Sequence, residues 1–495
     1  MGQKIEKESL MSAAIEGLKP ELVWKYFAEI SRIPRGSKNE AAATKYVLAT
    51  AKKLGLQSKV DKLGNVVVRK PASANRAHCR SVALQGHLDM VCEKNKEKVH
   101  SFLKDPIELV RKGNVLMANG TTLGADNGIA VAANLALMED RSVEHGPLEL
   151  LFTVDEETGL TGAKNLSPDF LESRILLNLD SEEEGALYVG CSGGKDTIGA
   201  WKVHFGEPTG SMIPLQVRVS GLKGGHSGLD IDKGRGNALK ILNRTLLELD
   251  AVGARLAFIE GGSKRNAIPR ESEAVLLVPP KGIEQAEKIV ADVNATVKSE
   301  LATTEPALLV TIAGLSSRKK WKVIRRSEQQ LIQKTIAALP HGVIKMSADI
   351  PGLVETSTNV AVISTVRDRI RISTSQRSSV ASEIREIAQS VSFIFELGGA
   401  TPEHTDSYPG WKPNLDSPIL ETAKSAFRDL YGKEPEVKAI HAGLECGIIG
   451  ERFPGMDMVS FGPTLEGVHS PDEKIYIDTV ERFWNYLLEI LKRVN

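Results

Sequence analysis

Three consecutive acidic residues, Asp155, Glu156 and Glu157, follow an apolar run that is typical of a buried strand. Like charges held this close repel one another, so bringing them together is costly unless a cation lies among them. A solvated turn at the start of a helix is the alternative, because acids favour helix N-termini. Only other segments of the chain can separate these two interpretations.

Four further segments place metal-binding residue types near the end of a predicted strand. They contain His87 and Asp89 in GHLDMV, Asp126 in LGADNG, Asp180 in NLDSEE and His469 in GVHSPDE. Each motif alone has an ordinary explanation as a loop histidine, a glycine-rich turn or a helix cap. Together, two histidines and several carboxylates form a nitrogen and oxygen ligand set that suits Zn²⁺, Mn²⁺ or Co²⁺. The joint pattern predicts a metal site, and a shared aspartate would suit a pair of ions.

The residues beside these candidate ligands suit supporting roles. Of the adjacent residues Glu156 and Glu157, one can bind metal while the other stays unligated and takes a proton from the attacking water. Asp89, two residues after His87, can hold the imidazole through its second nitrogen. The sequence lacks H-E-x-x-H, which excludes the metalloproteases that carry two histidine ligands on one helix.

Strand and helix patterns alternate from the N-terminus to about residue 200. Segments with helical periodicity, such as PELVWKYFAEISRI, alternate with β-branched runs, such as RSVALQGHLDM. This alternation predicts an α/β domain with a largely buried sheet. In such sheets the loops beyond the carboxyl ends of the strands form the ligand crevice, and the candidate ligands occur in these loops.

The pattern changes between about residues 207 and 398. It begins β-α-β-β-α-β, the ferredoxin-like order, and a similar run of helix, two strands and helix follows. The insertion is long enough for two such units at ordinary element lengths. We therefore predict an α/β domain made of residues 1–206 and 399–495, with an inserted α+β domain, 207–398, that is ferredoxin-like and doubled.

Composition limits the possible partners and compartment. The formal net charge is zero, which argues against a general binder of nucleic acid or of membrane surfaces. The charged N-terminus lacks the apolar core of a secretory signal, and no apolar run is long enough to span a bilayer. The four cysteines show no C-x-x-C spacing, which fits free thiols in a reducing compartment. We therefore predict a cytosolic protein with no nucleic-acid or membrane partner.

Taken in order, GHLDMV, LGADNG, TVDEETGLTGA, NLDSEE and GVHSPDE closely resemble the motifs of the M20 metallopeptidases, and in particular of their dipeptidases. The similarity extends over nearly the whole chain and includes GLKGGHSG, SKRNAIP, QRSS and HAGLECG. It implies a di-zinc catalytic α/β domain with an inserted lid. It also implies hydrolysis of unblocked dipeptides with broad specificity, Xaa-His among them.

The resemblance implies a role for each ligand position. His87 and Asp180 would hold one metal ion, and Asp126 would bridge both ions. Glu157 and His469 would hold the second ion. The implied cofactors are thus two divalent ions per chain, with zinc expected and Co²⁺ or Mn²⁺ able to substitute.

Further roles follow from the same resemblance. Glu156 would be the general base, and Asp89 would orient His87. The peptide bond from Asp126 to Asn127 would be cis, which is costly for a non-proline bond and usually marks a site.

For the substrate, the resemblance assigns a lid histidine, His226, to the developing oxyanion. Asn266 and Arg377 would contact the intermediate and the substrate carboxylate, for which the planar arginine fork is suited. His441 and Glu445 would meet the substrate's amino end. A surface loop around His226 and a surface position for Arg377 are the ordinary alternatives.

Two other functions stay open. A different amidohydrolase, such as a deacylase or an aminopeptidase acting on longer peptides, would share the metal chemistry and differ in the pocket. A non-catalytic metal-binding protein would be expected to have lost the base or a ligand, and neither is lost here.

The expected partner is a small peptide substrate, with a homodimer as an optional assembly. In smaller relatives one ferredoxin-like unit pairs with its copy in a second subunit, and the lid histidine then reaches the partner's active site. A doubled lid would cover its sheet edge within one chain. We therefore expect His226 to serve its own chain, as a lid residue does after closure.

Overall fold

The structure, a computed structural model, describes residues 13–315, 320–405 and 407–495. They form two compact units. The first unit comprises Met1–Gly190, Pro413–Ala439 and Leu444–Asn495, and the inserted unit comprises Cys191–Lys412 and Ile440–Gly443. The first 12 residues, which entered the prediction that no secretory signal is present, lie outside the described residues. In the described ranges no helix is long and apolar enough to cross a membrane.

An eight-stranded sheet is the centre of the first unit. Across the sheet the strands are Gln57–Val60, Val66–Lys70, Leu148–Thr153, Val82–His87, Ile175–Asn178, Asp457–Ser460, Ala186–Cys191 and Glu436–Ile440. The four from Leu148–Thr153 to Asp457–Ser460 are parallel to one another and almost entirely buried. Because parallel strands end at the same edge of a sheet, the segments that follow them converge there.

Helices and a second sheet complete the first unit. The helices are Glu21–Ile30, Ala41–Lys53, Ala125–Glu139, Glu156–Gly159, Thr161–Lys164, Pro418–Tyr431, Glu445–Arg452 and Ile477–Arg493. The second sheet contains Leu465–Glu466, Lys474–Tyr476, Val115–Ala118 and Leu109–Lys112.

Small residues let the helix Ala125–Glu139 lie against the central strand Val82–His87. Of its 15 residues, 13 are buried. A Cβ atom at Gly86 would lie only 2.6 Å from the Cβ of Ala130, so this approach requires glycine. The first turn of the helix, which contains the predicted cis peptide between Asp126 and Asn127, is thereby placed beside the strand end.

A nine-stranded sheet forms the inserted unit. Across the sheet the strands are Leu309–Gly314, Ile213–Ser220, Ser272–Val278, Arg255–Gly261, Val354–Val366, Arg369–Ser378, Gly193–Lys202 and Thr401–His404, with Gly342–Met346 paired beside Val354–Val366. The short strands Phe205–Gly206 and Val323–Ile324 pair with each other, as do Gly225–His226 and Ala267–Ile268. The α-helices are Ala238–Leu249, Ile283–Glu300, Arg326–Ala338 and Ala381–Leu397.

The inserted unit consists of two halves with the same topology. Each is a β-α-β-β-α-β run, and in each the four strands lie in the spatial order 4-1-3-2 of the ferredoxin-like motif. The second strands of the two halves, Arg255–Gly261 and Val354–Val366, pair antiparallel. One hydrophobic cluster also includes residues of both halves, for example Leu246 and Phe395. The edge of the first half is therefore covered by the second half within one chain.

The bounds of the inserted unit differ from the predicted range 207–398. The second half takes its first strand from Gly193–Lys202 and its last from Thr401–His404, both outside that range. The whole first half lies in the chain between Gly193–Lys202 and the helix Arg326–Ala338 that follows it in the motif. A search for consecutive elements therefore misses the first strand.

Candidate metal centre and a cationic cluster

The parallel strands of the first unit end beside candidate ligands. His87 is the last residue of one strand, Glu156 and Glu157 follow the next, and Asp180 follows the third. His469 lies further on, in the loop between the short strands Leu465–Glu466 and Lys474–Tyr476, which come after the fourth parallel strand. Residues that are far apart in sequence therefore meet at one edge of the sheet.

Asp126 lies between the two histidines. Its Oδ1 is 3.1 Å from Nε2 of His87, and its Oδ2 is 3.1 Å from Nε2 of His469. On one side, Oδ1 of Asp180 lies 3.4 Å from Nε2 of His87. On the other side, Oε2 of Glu157 lies 3.1 Å from Nε2 of His469. The result is two adjacent three-residue groups that share one carboxylate.

These two groups have the donor chemistry of a pair of metal positions. In each group the potential ligand atoms all lie within 4.8 Å of one another. Within the described residues, Oε1 of Glu157 is buried without a hydrogen-bond partner. One imidazole and two carboxylates per position suit first-row divalent ions, and the shared carboxylate suits a pair. The residues present thus fit two ions.

The electrostatics of the cluster reflect its excess of acids. Burial lowers the pKa of His87, but Asp180, Asp126 and Asp89 outweigh this effect and raise it well above the ordinary value. Hydrogen bonds to Asp126 and Glu157 raise the pKa of His469 to about 11. Without metal ions, protonated imidazoles would balance part of the acidic charge.

Two further acids lie in the same neighbourhood. Burial is the main cause that raises the pKa of Glu156 well above its ordinary value, and the charges of Asp180 and Glu445 add to it. Glu445 is fully buried, and its Oε2 accepts hydrogen bonds from Gln85 at 2.5 Å and Thr153 at 2.6 Å. Burial raises its pKa to about 8.

Asp89 connects the histidine to the glutamate turn. Its Oδ1 lies 3.4 Å from Nδ1 of His87, the ring nitrogen that does not face Asp126. The same oxygen accepts the backbone N–H of Glu156 at 3.0 Å, and Oδ2 accepts that of Glu157 at 3.2 Å. Asp89 therefore lies beside the second ring nitrogen of His87 and also accepts the backbone N–H groups of both glutamates.

Asp155, the first of the three acids, stabilises the turn. Its carboxylate accepts hydrogen bonds from the hydroxyls of Thr158 and Thr161. Asp155, Leu160 and His469 have left-handed φ angles of 51°, 55° and 60°. Such angles are uncommon outside glycine and cluster at functional sites.

The inserted unit contains a second group of polar side chains, the cationic cluster, which is centred on Arg377. Its Nη1 donates to the hydroxyl of Tyr408 at 2.9 Å, and its Nε donates to that of Ser227 at 3.3 Å. Its Nη2 lies 3.5 Å from Nε2 of His226. Arg377 is only 6% exposed, and in the described part of the chain its guanidinium forms no ion pair. It is therefore not the surface residue of the alternative interpretation.

His226 is held in one neutral tautomer. Its Nδ1 accepts the backbone N–H groups of Gly228 and Leu229, so the ring proton is on Nε2. Burial and the charge of Arg377 lower its pKa to about 4. Two N–H donors, Nε2 of His226 and Nη2 of Arg377, thus lie side by side, an arrangement that suits an oxyanion or a carboxylate.

The other predicted substrate residues lie in different surroundings. His441 belongs to the inserted unit, where its Nε2 lies 2.7 Å from the hydroxyl of Ser357, while Glu445 belongs to the first unit. Burial and Arg377 lower the pKa of His441 to about 3. Asn266 is exposed and lines, with His226, an open groove of about 1010 Å³.

Four contact residues were not singled out in the sequence. They are Ser227 and Tyr408 beside Arg377, and Gln85 and Thr153 beside Glu445. Ser227 is adjacent to His226 and could have been inferred from that motif. The other three make contacts between distant segments, for which the sequence offers no local signal.

The sequence was also compared with known protein families and with individual proteins. The sequence profile described as "Peptidase family M20/M25/M40" matches residues 83–493. A protein of Escherichia coli named "Cytosol non-specific dipeptidase" is 39% identical over 478 residues, which cover 96% of this chain and 98% of that protein.

Solved structures give the same picture. Aminoacylhistidine dipeptidase from Vibrio alginolyticus superposes with a TM-score of 0.89 at 39% identity, covering 97% of this chain and 98% of that one. Aminopeptidase PepT from Bacillus cereus superposes with a TM-score of 0.55 at 16% identity, covering 96% and 99%. The second similarity concerns the fold alone.

Proposed function

Because this chain belongs to peptidase family M20/M25/M40, we propose that it is a cytosolic, metal-dependent dipeptidase that hydrolyses unblocked dipeptides, Xaa-His among them. Two relatives that align with almost the whole chain support this proposal. One is named a cytosol non-specific dipeptidase and the other an aminoacylhistidine dipeptidase.

The observation that carries the metal dependence is the position of Asp126, whose two oxygens face the two histidines. We assign His87, Asp126 and Asp180 to one ion. Asp126, Glu157 and His469 are assigned to the other, with zinc as the expected metal and Co²⁺ or Mn²⁺ as substitutes. Two such ions would supply Lewis acidity and lower the pKa of a water molecule.

Glu156 is the proposed general base. Its carboxylate belongs to a group with His87 and Glu157 whose ligand atoms lie within 4.8 Å, and it is not needed for either ion. It accepts a proton from the attacking water and returns it to the leaving amine. Asp89 keeps Glu156 in place through the backbone N–H.

The inserted unit is proposed to recognise the substrate. Arg377 binds the C-terminal carboxylate, because a buried guanidinium that has no acidic partner among the described residues favours an anionic ligand. His226 donates its Nε2–H to the oxygen of the scissile carbonyl as negative charge develops there. Asn266 and His441 of the inserted unit, and Glu445 of the first unit, are further proposed contacts.

Metal analysis tests the first part of the proposal. Purified protein should contain about two divalent ions per chain, as a two-metal site requires. Activity should be lost with a chelator and return with Zn²⁺, Mn²⁺ or Co²⁺. A metal-free protein that is fully active would rule out the assigned chemistry.

A substrate panel tests the second part. It should contain free dipeptides with Xaa-His and β-Ala-His, N-acetylated amino acids, and tripeptides. Turnover of dipeptides alone is the expected result. A preference for acylated substrates would identify a deacylase, and cleavage of longer peptides would identify an aminopeptidase.

Subunit mixing tests the proposal that His226 serves its own chain. An inactive Glu156→Gln chain is combined with an inactive His226→Ala chain, and subunit exchange is verified with differently tagged chains. No recovery of activity is expected. Recovery would show that His226 acts across subunits.

A further inference from the structure

Glu473 makes an unusual set of hydrogen bonds in the first unit. Its Oε2 accepts the backbone N–H groups of Leu123 at 2.7 Å and Gly124 at 2.9 Å. Its Oε1 accepts those of Ala125 at 2.7 Å and Asp126 at 3.2 Å. With its side chain only 2% exposed, Glu473 uses both oxygens on four successive amides.

These amides belong to the turn that leads into the helix Ala125–Glu139, where Asp126 has a non-helical ψ of 110°, and they have no partner within the helix. The residue before the helix, Gly124, has no side chain to cap them. The cap comes instead from a residue about 350 positions away in sequence. A carboxylate that accepts several N–H groups makes charge-assisted bonds, which are stronger than those of a neutral cap.

Arg35 holds the carbonyl side of the same turn. Its Nη2 donates to the carbonyl of Gly124, and its Nη1 donates to those of Leu88 at 3.0 Å and Asp89 at 2.9 Å. The side chain is 1% exposed. The guanidinium therefore connects the turn to the strand end that carries the candidate ligand His87.

The glycines of this turn make room for the guanidinium. A Cβ atom at Gly124 or at Gly128 would lie 2.6 Å from Nη2 of Arg35. Gly124 also has a left-handed φ of 69°. Any side chain at Gly124 would thus be strained and would displace Arg35.

We propose that Glu473 and Arg35 are positioning residues that hold Asp126 so that each of its carboxylate oxygens faces one metal position. This inference rests on the proposed function. The backbone of the turn is held on its N–H side by Glu473 and on its carbonyl side by Arg35. The side chain of Asp126 remains directed at His87 and His469.

The two positioning residues also connect the turn to the other ligand segments. Glu473 is four residues after His469 in the same loop. Arg35 binds the carbonyls that directly follow His87. A shift of the turn would therefore change the distance from Asp126 to both histidines and would weaken the binding of any ion held between these residues.

The test compares Glu473→Gln with a matched control, Glu149→Gln. Glu149 is also a buried carboxylate of the first unit, 4% exposed, and accepts the N–H groups of Glu172 at 2.9 Å and Ser173 at 2.8 Å. Glutamine keeps the size of the side chain and replaces one acceptor oxygen with a donor.

Zinc affinity is measured in metal-buffered solution, and thermal unfolding is measured with and without zinc. Groups that orient metal ligands typically contribute 10–100-fold to affinity. We expect Glu473→Gln to lose about this factor and Glu149→Gln to keep wild-type affinity, even if both variants unfold at lower temperature without metal. The absorption spectrum of the Co²⁺ form should change only in Glu473→Gln.

Arg35→Lys provides an independent variant. Lysine keeps the positive charge but lacks the two terminal nitrogens with which the guanidinium binds carbonyl groups of two segments. It should also weaken metal binding. Wild-type zinc affinity and Co²⁺ spectra in folded Glu473→Gln and Arg35→Lys would overturn the positioning role alone. A wild-type protein that binds no divalent ion would overturn the proposed function as well.

Discussion

The two units bury charges of opposite sign. The first unit gathers the carboxylates of Asp126, Glu157 and Asp180 around two histidines. The inserted unit buries the guanidinium of Arg377 among hydroxyl and imidazole groups, with no ion pair in the described residues. Because an excess of buried charge of one sign is costly, each arrangement favours a ligand of the opposite charge. Divalent cations suit the first, and a carboxylate suits the second.

The histidines of the two units show the same contrast. Acidic neighbours raise the pKa of His469 to about 11. Burial and Arg377 lower the pKa of His226 to about 4 and that of His441 to about 3. One residue type therefore has opposite charge preferences in the two units, and the neighbouring charges decide which applies.

The largest expected effect on activity is at the candidate metal centre of the first unit. Glu156→Gln should keep both metal ions and lose about 10²–10⁴-fold in kcat, the usual contribution of a general base. Metal content and steady-state kinetics are measured together, with the exposed Glu172→Gln as the control. A variant that turns over like the wild type would require another base.

Substitution in the cationic cluster should affect substrate binding and depend on the substrate's carboxylate. Arg377→Met should reduce kcat/KM for free dipeptides about 10- to 150-fold, since a hydrogen bond to a charged group contributes about 1.5–3 kcal/mol. Dipeptide amides, which lack the carboxylate, should be affected much less. Removal of an unpaired buried charge should also raise the unfolding temperature of the substrate-free protein. Equal losses on both substrate types would contradict the carboxylate assignment.

A smaller effect is expected at the hydroxyl that holds the guanidinium. Tyr408→Phe removes only the acceptor for Nη1 of Arg377. This bond is charge-assisted, but Tyr408 acts on the substrate only through Arg377, so KM for free dipeptides should rise only roughly 2- to 10-fold, with little change in kcat. Tyr431→Phe, which removes a hydroxyl bonded to the Arg482 carbonyl, is the matched control. An unchanged KM in Tyr408→Phe would show that Arg377 is held without it.

The smallest expected effect is the pH dependence of stability. The pKa of His441 is about 3 in the folded protein against an ordinary value of 6.5, so the unfolded chain binds the proton more readily between these values. The stabilising contribution of the neutral ring is therefore complete above about pH 6.5 and is lost as the pH falls toward 3. His441→Gln should lose less stability than the wild type between pH 7 and 4 in thermal unfolding. Identical slopes would show that His441 titrates normally.

Much of the candidate metal centre could be predicted from the sequence, because each ligand residue stands out within its own short segment. Histidines and acids at strand ends are anomalies that can be seen residue by residue, and the structure brings His87, Asp126, Glu157, Asp180 and His469 together. The cationic cluster was harder to predict from the sequence. Its arginine was named through the family resemblance, but Tyr408 contacts it from a segment 31 residues further along the chain, and no local pattern signals that contact.

The inserted unit shows the same limit at the level of elements. The periodicity within the first ferredoxin-like half is continuous in sequence, so its order could be predicted. The second half has its first strand, Gly193–Lys202, separated from its helix by the entire first half. Pairing between distant strands is decided by tertiary contacts, which periodicity does not encode.

The sequence by itself determined the residue types available for chemistry, the alternation of strands and helices, and the segments that carry candidate ligands. These depend on local composition and spacing. Only the tertiary structure decided that Asp126 lies between two histidines, that Arg377 is buried, and that Glu473 caps a helix from a distant loop. Distances and burial arise from the packing of segments far apart in the chain, and the charge state of each buried group follows from that packing.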